Sequence, residues 1–441
     1  MHEAKVNCHV DPQMGNVGIA GKTVDAVSYD VTVIGAGIIG TTIAESLQHQ
    51  GRKVLLVDRL GVGEGCSKGN AGHFATDIIL PLANFSTLLK APKFLMDPLG
   101  PLSIDISYLP KLFPWLARFA WSAMPHKTTR TIEVLKQLNR PSIARYKKLL
   151  QRLEIEHLMS QNGALTIFES KSGERANLNH AKLVSRHGIN IEVLNTNQVL
   201  ELEPEFDRQI SGGLFYPDTA HSIDPYQLVV ELANSFINDG GSFLQADVQT
   251  IQPSENRDSN YLTRVETTKG VINSRKVIVA CGAWSKNIAE SLGYKVPLET
   301  ERGYHYMLPQ PGVTINRPVT CYEKSFVMTP MQQGLRLAGT VELAGLDKAP
   351  NQKRAEQLFT NAKPLLKGLN QLNATTWMGH RPSLPDSLPI ISKAANENIL
   401  FAFGHQHLGL TQAAVTAELV TDLLENRMDK FLQHHLSINR F

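Results

Sequence analysis

Cysteine is scarce and unpaired in this sequence: Cys8, Cys66, Cys281 and Cys321 are the four in 441 residues, and no two form a CxxC. That argues against a disulfide framework or a cysteine zinc site and suits a reducing, cytoplasmic setting. No run of about eighteen uncharged apolar residues occurs, so no helix is expected to span a bilayer. The formal net charge of +3 is small for the length and no long basic block is present, which removes the electrostatic case for nucleic acid. Residues 1–28 carry charges and glycines without the apolar core of a secretory signal and read as a loose extension.

What is present begins at residue 29. Asp30-Val31-Thr32-Val33-Ile34 is a β-branched run, Gly35-Ala36-Gly37-Ile38-Ile39-Gly40 is a GxGxxG, residues 41–49 have helical periodicity, and Lys53-Val54-Leu55-Leu56-Val57 ends on Asp58. Strand, glycine turn, helix, strand and acid make a dinucleotide-binding βαβ unit. Gly35 permits the tight turn, Gly37 the approach of a pyrophosphate, and Gly40 the packing of helix on sheet. The pyrophosphate sits on the helix N-terminus, and Asp58 accepts the ribose hydroxyls while disfavouring a 2′-phosphate. This much does not separate NAD from FAD.

The passage 61–73 is too rich in glycine for a core and reads as a loop running along the cofactor. Residues 102–124 gather Tyr108, Leu109, Leu112, Phe113, Trp115, Leu116, Phe119 and Trp121 with sparse cations. That composition suits a lipid interface, whereas Pro110 and Pro114 should interrupt a long amphipathic helix and favour packing against the protein. Helical spacing follows over 128–160 and 175–187, with short strands at 163–168 and 213–216. Asp224 and Pro225 open a helix to about residue 238. Residues 276–284 form an apolar strand running into a small-residue turn at Ala280, Gly282 and Trp284, as expected beside a cofactor. Residues 297–343 read as antiparallel sheet and 352–366 as a helix.

Near the end of the chain, Ile399-Leu400-Phe401-Ala402-Phe403 enters a polar turn at Gly404 and a helix from about Thr411 to 424. A second strand-to-helix turn at the far end of the chain suits a protein wrapping one FAD. The helix N-terminus would face the flavin pyrimidine, where negative charge grows on reduction.

Together with Gly35 to Gly40 and Asp58, several segments carry a family resemblance. They are Asn70-Ala71-Gly72, Pro114-Trp115-Leu116, the run 334–342, Trp377-Met378-Gly379-His380-Arg381-Pro382 with Pro385-Asp386, and Gly404-His405 with His407 and Gly409 to Thr411. The sequence resembles the D-amino-acid dehydrogenase and glycine oxidase group of FAD-dependent amine oxidoreductases over about residues 29–424. The resemblance implies an α/β plus α+β fold, with a Rossmann-like FAD-binding domain and a discontinuous antiparallel-sheet substrate domain. The expected division is an extension at 1–28, FAD-binding parts at 29–100, 222–290 and 376–441, and substrate-domain parts at 101–221 and 291–375.

It also implies oxidation of the Cα–N bond of a D-amino acid, glycine or secondary amino acid, with deamination to a 2-oxo acid. Arg381 falls where the family clamps the substrate carboxylate; a surface ion pair with Asp386 is the alternative. Tyr304, His305, Tyr322 and His405 are the further candidates for catalytic contact. Expected FAD contacts are Gly35, Gly37, Ile38, Ile39, Gly40, Asp58, Arg59, Ser67, Asn70, Ala71, Gly72, His73, Val248, Ala280, Gly282, Trp284, Gly379, Arg381, Gly404, His405, Leu408, Gly409, Leu410 and Thr411. The neighbourhood of Arg381 is expected to hold no cysteine, so the FAD is expected to be noncovalent, and the histidines show no metal-ligand spacing. The electron acceptor is oxygen, a quinone or a protein carrier, and the location is cytoplasmic, with peripheral contact at the inner membrane face open. A subunit of an electron-transferring amine dehydrogenase complex and a noncatalytic flavin-binding protein are the alternatives.

Overall fold

Two large sheets, each drawing strands from distant parts of the chain, meet around one cavity. The computed structural model describes residues 28–83, 99–207, 209–253 and 262–441. The extension expected at 1–28 lies outside these residues apart from Ser28.

The first sheet has eight strands. Ser28–Ile34 lies parallel to Val54–Asp58 on one side and to Gly270–Val279 on the other. Ser242–Gln245 extends it in parallel beyond Val54–Asp58, and Ile399–Phe403 pairs in parallel with Val277 to Val279. Thus the first and last strand-to-helix turns open at the same edge of the parallel part of one mixed sheet. Val31, Val33, Leu56, Ile278 and Leu400 are buried beneath the helices Ile38–His49 and Gly409–Leu424. Burial on both faces explains why these strands read as continuous apolar runs instead of alternating.

Ile38–His49 buries Ile38, Ile43, Ala44 and Leu47. Its approach to the sheet depends on Gly40, where an added Cβ would lie 1.8 Å from the Gly35 carbonyl oxygen. Pro225–Asn238 starts at Asp224, whose carboxylate accepts from the Tyr226 and Gln227 N–H groups at 3.0 Å.

The second sheet is nine-stranded and mainly antiparallel, with the central order Thr375–Ser383, Glu299–Leu308, Gly334–Leu343 and Phe326–Met331. The strand carrying Arg381 is therefore hydrogen-bonded into this sheet, and the expected domain boundary at residue 376 falls inside it. A small sheet of His73–Phe74, Ala220–Ser222 and Met159–Ser160 joins the glycine-rich loop to the rest.

Several local expectations change. The helical stretch 128–160 is two helices, Pro125–Asn139 and Ser142–Arg152, broken at Pro141. The helix expected over 352–366 ends earlier, at Ala362. Residues 102–124 do hold an amphipathic helix, Leu109–Ser122, despite both prolines. Pro110 sits in the first turn, where its missing N–H had no partner to lose, and Pro114 costs only one hydrogen bond. The expected packing is also half fulfilled. Leu112 and Trp115 are buried against Leu343, but Ile106, Phe113 and Trp121 are 86%, 67% and 56% exposed.

Candidate active site

The cavity holds about 650 Å³ and is bordered by both large sheets and the glycine-rich loop. On the nucleotide side, Gly35 adopts φ +107°, and a Cβ there would meet the Ala280 carbonyl oxygen at 2.4 Å. The helix after the turn has Gly37 as an N-cap without a side-chain cap. One orphan donor, the Ile38 N–H, is taken by the buried Ser67 hydroxyl at 2.8 Å, which ties the loop to the helix N-terminus. Asp58 is oriented by the backbone: one oxygen accepts from Ala36 N–H at 2.8 Å and the other from Leu60 and Gly61 N–H at 2.8 and 3.1 Å. A carboxylate so fixed still has lone pairs for a ribose. Arg59 lies over the Trp284 ring at 4.3 Å, and Trp284 meets His380 edge to face at 5.4 Å.

The loop is shaped by its own polar contacts. Asn70 accepts from Gly72 N–H at 2.8 Å and donates to the Ser67 carbonyl at 3.0 Å. The buried Arg336 donates to the Asn70 carbonyl at 2.6 Å, and burial pulls its guanidinium down to about 10. His305 adds a further brace through Nδ1 and the Gly69 carbonyl at 2.9 Å, with its ring stacked on Trp377.

Arg381 faces Glu301 across the strand pair, and its guanidinium lies over Gly303, where a Cβ would come within 2.4 Å of it. The guanidinium has no hydrogen bond or ion pair within the described residues. Asp386, the alternative partner, is held instead by Arg440 at 2.7 Å. Around Arg381 stand Glu301, Cys66 and His407, each feeling its charge. Burial raises the Glu301 carboxyl, against the opposing pull of its 2.7 Å Ser383 bond and of Arg381. His407 is pushed down to about 4 by burial, with Arg381 adding to the effect. Cys66 thus adjoins Arg381 in space, contrary to the reading from sequence, and its thiol donates to the His380 carbonyl.

Most of the expected contacts border this cavity, among them Gly35, Gly37, Ile38, Ile39, Asp58, Arg59, Ser67, Asn70, Ala71, Gly72, His73, Val248, Ala280, Gly282, Trp284, Gly379, Arg381, Gly404, His405, Gly409 and Leu410. Gly40, Leu408 and Thr411 do not. Gly40 serves helix packing, and the helix begins two residues before Thr411, whose hydroxyl is buried and accepts from Ala75 N–H at 3.0 Å. Of the substrate candidates, His305 and Tyr322 stand outside the lining. Tyr304 borders it, but its hydroxyl donates to Glu342 at 2.5 Å and accepts from Asn351 N–H at 3.1 Å, so it is committed elsewhere. His405 is buried with Nε2 paired to Thr416 at 3.0 Å, and burial pushes it down to about 3. Phe326, Val327 and Trp377 border the cavity without being among the expected site residues. Phe326 and Val327 sit on a strand legible in the sequence, but period-two alternation does not say which face meets the cavity, and the strand Thr375–Ser383 that carries Trp377 is not among those expected.

From residue 30 to residue 423 the sequence matches the family described as FAD dependent oxidoreductase. The chain belongs to that family. It is 35% identical over 419 residues to a protein of Bradyrhizobium diazoefficiens named D-amino-acid oxidase, covering 93% of this chain and 98% of the relative. A Vibrio atlanticus protein named D-amino acid dehydrogenase is 26% identical, covering 93% and 100%. The glycine oxidase of Geobacillus kaustophilus has the same fold, with a TM-score of 0.72 at 19% identity over 94% of this chain and 99% of that one. The chain is therefore an FAD-dependent oxidoreductase, and its cavity fits the group. A glycine cradle that a Cβ would fill, an uncapped helix N-terminus and an oriented acid border one continuous space. Bound there, FAD supplies the acceptor for two electrons.

Replacing Asp58 by Ala removes the anchor of the glycine turn and the carboxylate that the sequence reading assigns to the ribose. FAD retention is expected to weaken by about tenfold to more than a hundredfold, the equivalent of roughly 1.5–3 kcal/mol for a charge-assisted hydrogen bond. Equilibrium dialysis of the flavin checks this; full occupancy on dilution would exclude the ribose role.

Proposed function

We propose that the enzyme oxidises the Cα–N bond of a small amino acid, with D-amino acids the first class to test, giving an imine that water converts to a 2-oxo acid and ammonia. The observation that carries the reading is Arg381, a guanidinium unpaired among the described residues and in the same cavity as the cofactor cradle. A planar fork meets a carboxylate through two parallel hydrogen bonds and so fixes the Cα–H against the acceptor. A noncatalytic flavin protein has no use for it. The names of the relatives support the same class. Incubating the holoenzyme with D-alanine and an electron-accepting dye should yield pyruvate and ammonia in equal amounts; dye reduction without a 2-oxo acid would refute it.

The FAD is held noncovalently in this reading, although Cys66 and Cys281 both border the cavity. Burial pushes both thiols up to about 12, so the nucleophilic thiolate that a covalent link needs is not populated.

A peripheral role for the helix Leu109–Ser122 is favoured by its exposed Phe113 and Trp121 and the neighbouring Ile106. Residues 106–132 hold Lys111, Arg118, Lys127 and Arg130 and no acid. An exposed apolar face on a helix that carries Lys111 and Arg118 suits an anionic lipid surface, from which a quinone could take the electrons. No helix among the described residues is long and apolar enough to cross a membrane. Phe113→Glu with Trp121→Glu should release the protein from vesicles containing phosphatidylglycerol, since each inserted ring contributes roughly 1.5–3 kcal/mol. Flotation that is equal for both proteins, or equal on neutral vesicles, would exclude this surface.

A further inference from the structure

The second sheet forms one wall of the cavity, and its two faces differ. Tyr304, Tyr306, Phe326, Met328, Leu335 and Leu337 turn into the apolar core behind it. Alternation sends the residues between them to the cavity side, where the register sets them in one row. Trp377 pairs with His305, His305 with Ala338, Ala338 with Val327 and Val327 with Thr320. Of these, Trp377, Ala338, Val327 and Thr320 border the cavity. Arg381 lies over Gly303, the residue before Tyr304 and on the face of His305, so the guanidinium stands beside this row.

Among the described residues the wall is open from Arg381 in one direction. Thr375–Ser383 is the edge strand, and beyond it Trp284, against His380 and under Arg59, belongs to the nucleotide side. Along the strands toward His305 the glycine-rich loop closes the space: the Trp377 ring stacks on His305, and a Cβ on Gly69 would meet that ring at 2.3 Å. Arg336, next to Ala338 on the same face, is turned to the Asn70 carbonyl and does not border the cavity. In the other strand direction Val341 packs with the helix Leu109–Ser122. The side chain of a substrate whose carboxylate sits on Arg381 therefore runs across the strands, over Ala338 and Val327 toward Thr320. At about 4.8 Å per strand, the three steps from the Gly303 strand to the Thr320 strand give about 14 Å, far more than a methyl group needs.

The row carries no counter-charge. Arg381 is the one permanent charge that the second sheet brings to the cavity, and its own role is the carboxylate. His380, on the same strand, is pushed down to about 4 by burial first, with Arg302 and Arg59 adding to the effect and Asp347 opposing it. The bordering acids Asp58 and Asp247 stand at strand ends of the other sheet. Near Thr320 in sequence, Lys324 is paired with Glu169 and Glu323 accepts from Ser170. A charged side chain laid along the row would lose water and gain no partner, a cost that an apolar one does not meet.

We propose that Ala338 and Val327 are specificity-determining residues, which admit long uncharged side chains along this row and reject charged ones; the inference rests on the amino-acid reading and on Arg381 as its carboxylate site. Ala338 leaves the space over its strand open, Val327 supplies the apolar contact beyond it, and Thr320 ends the row.

The test is anaerobic rapid mixing of the holoenzyme with straight-chain 2-amino acids from alanine to norleucine, and with glutamate and lysine, each as the enantiomer that reduces the flavin. The second-order rate of reduction should rise about fourfold for each buried methylene, and so about sixtyfold from alanine to norleucine. Glutamate and lysine should fall at least about a hundredfold below norleucine. Binding of the matching carboxylates without the amine, propanoate to hexanoate, is read from the flavin spectrum without turnover and should tighten along the same series. In Ala338→Leu the added carbons fill the row, so the norleucine-to-alanine ratio should drop to about one or below. Val327→Lys places a cation in the row and should raise glutamate relative to norleucine at least about tenfold, with no such gain for lysine. If a variant loses its flavin, the wild-type series decides: rates and affinities level along it, or glutamate equal to norleucine, overturn the proposal. A flavin-bound Ala338→Leu or Val327→Lys that keeps the wild-type ratios does so as well. A flavin reduced by no amino acid overturns the amino-acid reading, and this inference with it.

Discussion

Flavin reduction by D-amino acids should fall at least a hundredfold in Arg381→Ala, with the flavin still bound. Loss of a charge-assisted pair costs roughly 1.5–3 kcal/mol in affinity, and a substrate free to pivot loses further in rate because its Cα–H is no longer aligned. Arg381→Lys keeps the charge but not the fork, so it should fall between wild type and Ala. Amines without a carboxylate should be affected little. The surroundings make the experiment specific. The guanidinium lies over Gly303 on a two-strand platform, and among the described residues no carboxylate is bonded to it. Rapid mixing under nitrogen separates the outcomes: equal reduction rates in wild type and Arg381→Ala would remove Arg381 from the substrate site.

The second large effect concerns the cradle itself. In Gly40→Val, the first added carbon would overlap the Gly35 carbonyl oxygen at 1.8 Å, a backbone-on-backbone conflict that no rotamer relieves. Either the helix Ile38–His49 lifts from the sheet or the glycine turn moves, and both spoil the phosphate site. Overpacking of this kind costs typically about 1–3 kcal/mol, and here the flavin contribution is lost in addition. The variant should melt well below wild type and purify with little flavin. Gly65→Ala, whose Cβ meets nothing, should keep the wild-type melting temperature. A Gly40→Val protein with full flavin and unchanged melting would show that the close approach is dispensable.

Much of this architecture was legible because its signals are local. The glycine turn needs φ values and clearances that only glycine meets, Asp224 caps its own helix, and the apolar run at 276–279 announces a strand covered on both faces. That Arg381 borders the cavity was legible through the segment around it, not through any property of a lone arginine. The residues that escaped depend on partners far away in sequence. Tyr304 and His305 are adjacent on one strand and so point to opposite faces. His305 turns to Gly69 and Tyr304 to Glu342, choices made by the sheet stack and invisible to alternation alone. Thr411 looked like the start of a helix facing the flavin, but the helix starts at Gly409 and turns the hydroxyl toward Ala75. Cys66 and Arg381 are over three hundred positions apart, and only the meeting of loop and sheet makes them neighbours.

The central claim, that a carboxylate-bearing amine gives its electrons to the bound FAD, is tested most directly by mixing the purified holoenzyme under nitrogen with D-amino acids, their L-enantiomers, glycine and proline in turn. The account predicts that at least one D-amino acid, glycine or secondary amino acid bleaches the flavin fully and stoichiometrically, and that the corresponding amine without its carboxylate does so far more slowly. A flavin that stays oxidised with every amino acid while dithionite bleaches it would contradict the account.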